Sequence, residues 1–428
     1  MATLSKVPGG KELEDFVAAL LQCTGHFVEK NIQERDVLEL DIVATRYGEA
    51  GPEHRVFEVK GGNWGFSEVF KLLGWMTYLQ INAGAFVATV PPQDRDVAFY
   101  CDRCEKVNIK LLVIDDFDTA GDRFDSGGFG RADDLLREIW RYSFWIERCL
   151  IEALRDAKRA NPEALAPREA LRYYNLINNG VFFARHPTER VGMLYDAYQE
   201  HPMLTLGAAR EMAGDAFDAD TPGTSPLIGE ALRQRKHLLL QACMYLEHKA
   251  RLAILKGAVD YLCQDEEREG AGGPQIIDLS TVGLPSSFRH ALSRIKEQPH
   301  FWLYPLFWQV FLWGWGGFIL NDREKEEFEE LSRQTGLPVE SIPTALEAFD
   351  WLFPLSGGSW FTQMPTASYR LVRLAPSPFC GIGAFQRLKR NDVEQYLDLS
   401  LGGQYTVRDM GTWHNSAATL LNESAQRQ

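Results

Sequence analysis

Asp41, Glu58 and Lys60 are the residues whose types and spacing could do chemistry. Asp41 lies in the middle of Val37–Thr45 (VLELDIVAT), a stretch rich in β-branched residues. Glu58 and Lys60 stand two apart in Arg55–Lys60 (RVFEVK) and so point to one face of a strand. If the two strands pair through the turn-forming segment Tyr47–Glu53, Asp41 comes beside Glu58 at one end of a sheet. Two carboxylates a few ångströms apart repel unless a cation sits between them. Oxygen-only ligands select a hard metal, Mg²⁺ or Mn²⁺. The Val59 carbonyl would add a ligand. Lys60 would orient or help deprotonate a water and stabilise charge on a phosphate. Metal-assisted phosphodiester hydrolysis needs these parts. Glu-x-Lys alone carries little weight, because both residues are common; a solvated strand face is its bland reading.

The elements that must position these groups are legible. Lys11–Cys23 has apolar residues at helical spacing (Leu13, Phe16, Val17, Leu20, Leu21) and predicts a helix. His26–Lys30 predicts a short strand, followed by the two strands above. Phe66–Gln80 predicts a second helix, Gly84–Val90 a strand, Asp94–Lys106 a third helix and Ile109–Asp115 a last strand. The order α-β-β-β-α-β-α-β implies an α/β domain with a mixed sheet and helices on its faces. The domain is expected over residues 1–116, with a Gly-rich linker over 117–131. Long amphipathic stretches over 132–428 predict a larger, mainly α-helical domain.

Asp41 followed by Glu58-Val59-Lys60, within this order of elements, resembles the PD-(D/E)xK (restriction-endonuclease-like) nuclease superfamily. The stretch KELEDFVAALLQCTGHFVEKN is similar to that family's first helix and strand. The resemblance covers about the first 116 residues. Leu40 replaces the Pro of the family name, and the spacing of 17 from Asp41 to Glu58 lies in the family's loose range. The resemblance implies a restriction-endonuclease-like core and metal-dependent cleavage of nucleic acid, DNA ahead of RNA. Asp41 and Glu58 would bind Mg²⁺ or Mn²⁺, and Lys60 would position water. Glu14 would support the metal, as a first-helix Glu does in many members. Some members use a Gln or Tyr at the end of the second helix, which here points to Gln80 or Tyr78. Lys71 and Arg55 are the basic residues expected near the site.

Charge argues the other way. The chain of 428 residues has 45 Lys and Arg against 59 Asp and Glu, a net of −14. Residues 1–120 hold 12 basic and 19 acidic side chains, a net of −7. That excludes a general polyanion binder and disfavours autonomous binding through phosphates. Seven cysteines without regular spacing do not form a disulfide framework. The N-terminus lacks the apolar core of a signal peptide, so a cytoplasmic location is expected. Cys101-Asp-Arg-Cys104 is a single Cys-x-x-Cys late in a helix, read as ordinary cysteines rather than a zinc or redox site. Arg294 and His300 match a ribonuclease spacing, but Pro299 breaks the required helix, so they are rejected as a site.

In the remainder, Phe301–Leu320 carries no charge over 20 residues. Pro305, Gln309 and the Gly314–Gly317 stretch favour a buried core segment over a membrane span, and no membrane is expected as partner. Glu327–Phe353 has the outline of a helix-turn-helix, but its second helix offers Glu340, Glu347 and Asp350 and not base-reading side chains. Tyr369–Arg390 is the most basic strip of the tail. The sequence-level expectation is a metal-dependent nuclease, its partner nucleic acid, whose architecture suggests bacterial defence against foreign DNA. Its helical domain would recognise substrate, regulate access, bind a protein or form a homo-oligomer. The alternative is a non-catalytic interaction or scaffold protein built on a nuclease-like domain.

Overall fold

The computed structural model describes residues 5–34, 38–92, 96–178, 187–200, 237–269, 284–315, 317–320 and 324–354, with short strands at 361–363, 369–372, 400–401 and 405–406. The chain divides into two compact units, Met1–Trp145 with Asn178–Glu189, and Ile146–Ile177 with Arg190–Gln428.

The first unit holds a five-stranded sheet in the order β1-β2-β3-β4-β5. Helix α1 (Lys11–Cys23) leads into β1 (Phe27–Glu34), β2 (Leu38–Gly48) and β3 (Gly51–Lys60). Helix α2 (Phe66–Leu79) connects β3 to β4 (Gly84–Ala88), and α3 (Val97–Glu105) connects β4 to β5 (Ile109–Val113). β1, β2 and β3 form an antiparallel meander, while β3, β4 and β5 are parallel. The sheet is mixed, as the alternation of a hairpin with crossover helices requires. The β2–β3 hairpin closes tightly between Gly48 and Gly51, where Gly51 supplies φ 104°.

One face of the sheet packs Leu40, Val43, Val56 and Phe86 against Val69, Leu72 and Met76 of α2. Helix α1 is buried over ten consecutive residues, Leu13 to Gln22, more than its amphipathic pattern predicts. The cause is cover from segments distant in sequence. Phe117 meets the edge of the Phe16 ring at 5.2 Å, and the guanidinium groups of Arg137 and Arg141 lie over that ring at 5.2 and 5.3 Å. Buried Asp15 on α1 is satisfied by Lys30 of β1, whose ammonium also lies 4.7 Å from the Phe144 ring centre.

The expected linker is the main departure. Residues 117–131 contain helix α4 (Ala120–Ser126), where buried Phe124 packs on buried Phe129 and Phe129 packs in turn on Phe57. Three aromatic anchors outweigh the glycines, which serve turns: Gly128 and Gly130 take φ 82° and 96°. The first unit therefore extends past residue 116, into α5 (Asp134–Ala160).

The second unit is mainly helical: α6 (Leu165–Ile177), α7 (Pro187–Glu200), α8 (His237–Glu269), α9 (Ser286–Lys296), α10 (Tyr304–Gln309), α11 (Glu324–Thr335) and α12 (Ile342–Leu352). Antiparallel strands β6 (Phe318–Leu320), β7 (Phe361–Gln363) and β8 (Tyr369–Val372) form a small sheet in the order β6-β8-β7, and β9 (Ser400–Leu401) pairs β10 (Tyr405–Thr406). The uncharged segment from Phe301 is core: Trp308 is fully buried, stacks on Phe349 at 4.1 Å and donates to the Ala345 carbonyl at 2.8 Å. Among the described residues no helix is long and apolar enough to cross a membrane. The α11–α12 pair buries Phe349, Leu346 and Ala345 of its second helix. Arg294 stacks on Trp351 at 3.7 Å, and His300 begins a short 3₁₀ turn, so neither forms the rejected ribonuclease pair. The basic strip 369–390 lies outside the described residues apart from β8.

Candidate active site

The backbone creates the site by ending a ladder early. β2 and β3 pair from the hairpin as far as Ile42 with Phe57 and no further. β2 continues toward Leu38 paired with β1 alone. On its other side the β1–β2 register runs from Lys30–Ile42 to Ile32–Leu40 and skips Asn31 and Asp41. Asn31 takes φ 53°, a left-handed value that Asn tolerates better than other side chains. The strand is thus irregular at Asp41, where it separates from β3.

In the gap a side chain replaces the ladder. Asp41 Oδ2 accepts the Val59 N–H at 2.8 Å. A strand residue sends its N–H and C=O to the same side, so the Val59 carbonyl also faces the gap, past the last β2–β3 pair. This is where the sequence expected a carbonyl ligand.

Glu58 is 2% exposed, and its two oxygens differ. Oε1 pairs with Lys60 Nζ at 2.7 Å and lies 3.9 Å from Lys71 Nζ. Among the described residues Oε2 is buried and has no hydrogen-bond partner. Burial first, and the Asp41 carboxylate second, push the Glu58 carboxyl up to about 7. Burial also raises Asp41, against the Val59 hydrogen bond and the fields of Lys11, Lys60 and Lys71. Glu14 is raised by burial and then by Asp41, while Lys11, 3.0 Å away, opposes the rise. Three acids on α1, β2 and β3 therefore share one electrostatic neighbourhood. For Lys60, burial works against the charge, but the Glu58 hydrogen bond and the surrounding carboxylates outweigh it and lift the ammonium above an ordinary lysine.

The structure brings together Asp41, Glu58, Val59, Lys60, Glu14 and Lys71. Gln80 does not join them. It caps the far end of α2 at φ 58°, nine residues and roughly 13 Å of helix beyond Lys71. Because α2 is the crossover between parallel β3 and β4, its start lies at the Glu58–Lys60 end of the sheet and its finish at the other. Tyr78, near that finish, donates to Glu34 at 3.1 Å. Arg55 lies over the Phe129 ring at 4.9 Å and pairs with Ala44 within the hairpin, five residues before Lys60. Two contributors escaped the sequence reading. Glu68, in the first turn of α2, lies 3.7 Å from Lys60, and Lys11 pairs with Glu14. The i, i+3 spacing of Lys11 and Glu14 was a usable signal; nothing in the sequence marked Glu68. The thiols of Cys101 and Cys104 are pushed up by burial, which does not suit nucleophilic or redox use.

Among the described residues no group of three or more His, Cys, Asp or Glu side chains is gathered closely enough to hold a metal by itself. The donor set nevertheless fits a hard cation: two carboxylates, one buried oxygen without a partner, and a carbonyl past the end of its ladder. No family model, no curated protein and no solved structure matches this chain.

Proposed function

We propose that the first unit is a metal-dependent phosphodiesterase acting on nucleic acid, DNA ahead of RNA. The observation that carries this reading is the buried, unpartnered Glu58 Oε2 beside Asp41, with Lys60 at 2.7 Å on the other oxygen. Placing like charges together and burying one of them costs stability. A cation and an anionic substrate would relieve that cost.

Asp41, Glu58 and the Val59 carbonyl would hold Mg²⁺ or Mn²⁺, with Glu14 in support. The ion when bound supplies Lewis-acid stabilisation of charge on the phosphate. Lys60, held as an ammonium, donates hydrogen bonds: it orients the attacking water and meets the charge that develops on the phosphoryl oxygens. This favours its orienting and charge-stabilising roles over proton abstraction. Hydrolysis forms one P–O bond from water and breaks the P–O bond to the departing sugar oxygen, which takes up a proton. Lys71, reaching Glu58 from α2, adds a second cation at the substrate side.

The test is cleavage of plasmid, linear duplex, single-stranded DNA and RNA with Mg²⁺ or Mn²⁺, using Asp41→Ala as control. Metal-dependent cutting that disappears in the variant supports the reading. No cutting of any substrate, together with no Mn²⁺ binding that depends on Asp41, favours the scaffold alternative. A role in defence against foreign DNA rests on architecture alone.

A further inference from the structure

Beside the carboxylates runs a chain of aromatic rings that the proposed hydrolysis does not use. Phe70 and Phe66 of α2 lie 5.3 Å apart between centroids, Phe66 and Tyr100 5.8 Å, and Tyr100 and Phe99 of α3 5.6 Å. The two end rings are open to solvent, Phe70 at 60% and Phe99 at 48%. The inner rings are anchored: Tyr100 packs on Trp64 at 5.6 Å, and buried Trp64 packs on Phe86 and donates to the Val90 carbonyl at 2.8 Å. The ridge is a row of rings on a packed base, with neighbours set edge to face at its two ends, Phe66 and Phe70 at 76° and Tyr100 and Phe99 at 81°.

Its charge and position say what it would meet. Lys71 follows Phe70, lies over the Trp75 ring at 4.3 Å and reaches to 3.9 Å from Glu58. At the other end Arg103 lies over Phe99 at 4.9 Å and also pairs with Asp102. An apolar ridge with a cation at each end, starting beside a candidate phosphodiesterase site, suits a strand whose phosphates and bases are both exposed. Duplex bases are stacked on one another and cannot reach ring faces. The net −7 of residues 1–120 is poor for holding a duplex by its phosphates, whereas stacking gives affinity with little demand on net charge.

We infer that the Phe70–Phe66–Tyr100–Phe99 ridge stacks unpaired bases and delivers a single-stranded segment of nucleic acid to the Asp41–Glu58 site. The inference rests on the proposed phosphodiesterase reading for what happens next, but the binding it asserts is measured without catalysis.

The experiment uses the full chain in chelator, so that nothing is cut. Fluorescein-labelled oligothymidine, oligouridine and a duplex of equal length are titrated and followed by anisotropy across a salt series. Either single strand is expected to bind at least tenfold tighter than the duplex, with a shallow salt slope. Phe70→Ala with Phe99→Ala should lose tenfold or more in single-strand affinity, in line with the stacking contribution of one to two bases. Phe70→Tyr with Phe99→Trp keeps the rings and should keep the affinity. Both end rings are exposed, so these variants should melt like the parent. Oligodeoxyuridine, which has the base of oligouridine and the sugar of oligothymidine, is titrated alongside, and its comparison with oligouridine names the preferred sugar. Equal affinity of parent and Phe→Ala variant for single strands overturns the inference, even if metal-dependent cutting is observed. So does the absence of binding to either single strand, which would leave the ridge a contact surface for protein. Ring-dependent binding without cleavage under any metal would instead sink the phosphodiesterase reading and leave the ridge standing.

Discussion

Two regions of this molecule bury charge, and they treat it in opposite ways. In the second unit, α8 buries ten consecutive residues from Arg251 to Asp260. Lys256, fully buried, pairs with Asp260 one turn away at 2.7 Å. Buried Glu147 accepts from the Tyr245 hydroxyl at 2.7 Å and pairs with Lys249. Opposite charges and hydrogen bonds meet there, and the Lys256–Asp260 pair closes within the helix. At the open end of the β2–β3 ladder, Glu14, Asp41 and Glu58 are instead set against one another, and one buried carboxylate oxygen is left without a partner. The lesson is that burial of charge does not by itself mark a functional site. The sign of the neighbours separates the two regions: complementary pairs finish a core, while gathered like charges leave a cost that the proposed cation would relieve.

This contrast can be broken or sharpened by experiment. The largest effect is expected from Lys60→Ala. It should lower cleavage by about 10³-fold or more, roughly 4 kcal/mol of transition-state stabilisation, with an unchanged circular dichroism spectrum. Full activity in that variant would remove the mechanism. Next is Asp260→Ala. It removes the carboxylate that pairs with the buried Lys256 ammonium and should destabilise the second unit by about 3–5 kcal/mol in chemical denaturation. A negligible loss would mean that the α8 pair is not the closed arrangement described above.

The carboxylate cluster should weaken the metal-free protein as pH rises. The Glu58 carboxyl is pushed above its ordinary value to about 7. A folded-state value above the unfolded one gives stability that is fully present below about 4.5 and lost as pH rises through 7. The metal-free protein should therefore weaken between pH 5 and 8 by up to about 3 kcal/mol, and Glu58→Gln should flatten that decline. Mn²⁺ at pH 8 should restore the melting temperature of the parent, and not of Asp41→Ala. A Glu58→Gln protein that weakens with pH as the parent does would show that Glu58 is not the strained group. The smallest effect is expected at Asn31. Asn31→Val puts a β-branched side chain at φ 53° and should cost about 1–2 kcal/mol, with lowered activity from a displaced Asp41, while Asn31→Gly should be nearly neutral. Equal effects of the two substitutions would separate the irregular backbone from the site.

Part of the site was legible because it is local. Glu58 and Lys60 share a face by strand alternation, and Gly48 and Gly51 announce the hairpin that returns β3 to Asp41. Helix α2 was equally plain, yet the family resemblance pointed to Gln80 or Tyr78 at its far end as well as to Lys71. A crossover helix between parallel strands puts its ends at opposite edges of the sheet, so only its first turns can help. Residues 117–131 read as a linker because composition counts four glycines there, whereas the packing of half-buried Phe117 on Phe16 and of buried Phe129 on Phe57 depends on rings elsewhere in the chain.

The sequence by itself determined the order of elements in the first unit, the mixed sheet and the identity of the acidic pair and its lysine. Periodicity, turn residues and strand alternation act over a few residues and are written in the chain directly. Only the tertiary structure decided that β2 leaves β3 at Asp41, that the Asp41 carboxylate takes the Val59 N–H, that Lys71 and Glu68 arrive from α2, and that Phe70 and Phe99 line up in one ridge. Each of these joins residues on different elements. Such contacts follow from how strands separate and helices pack, which no local pattern encodes.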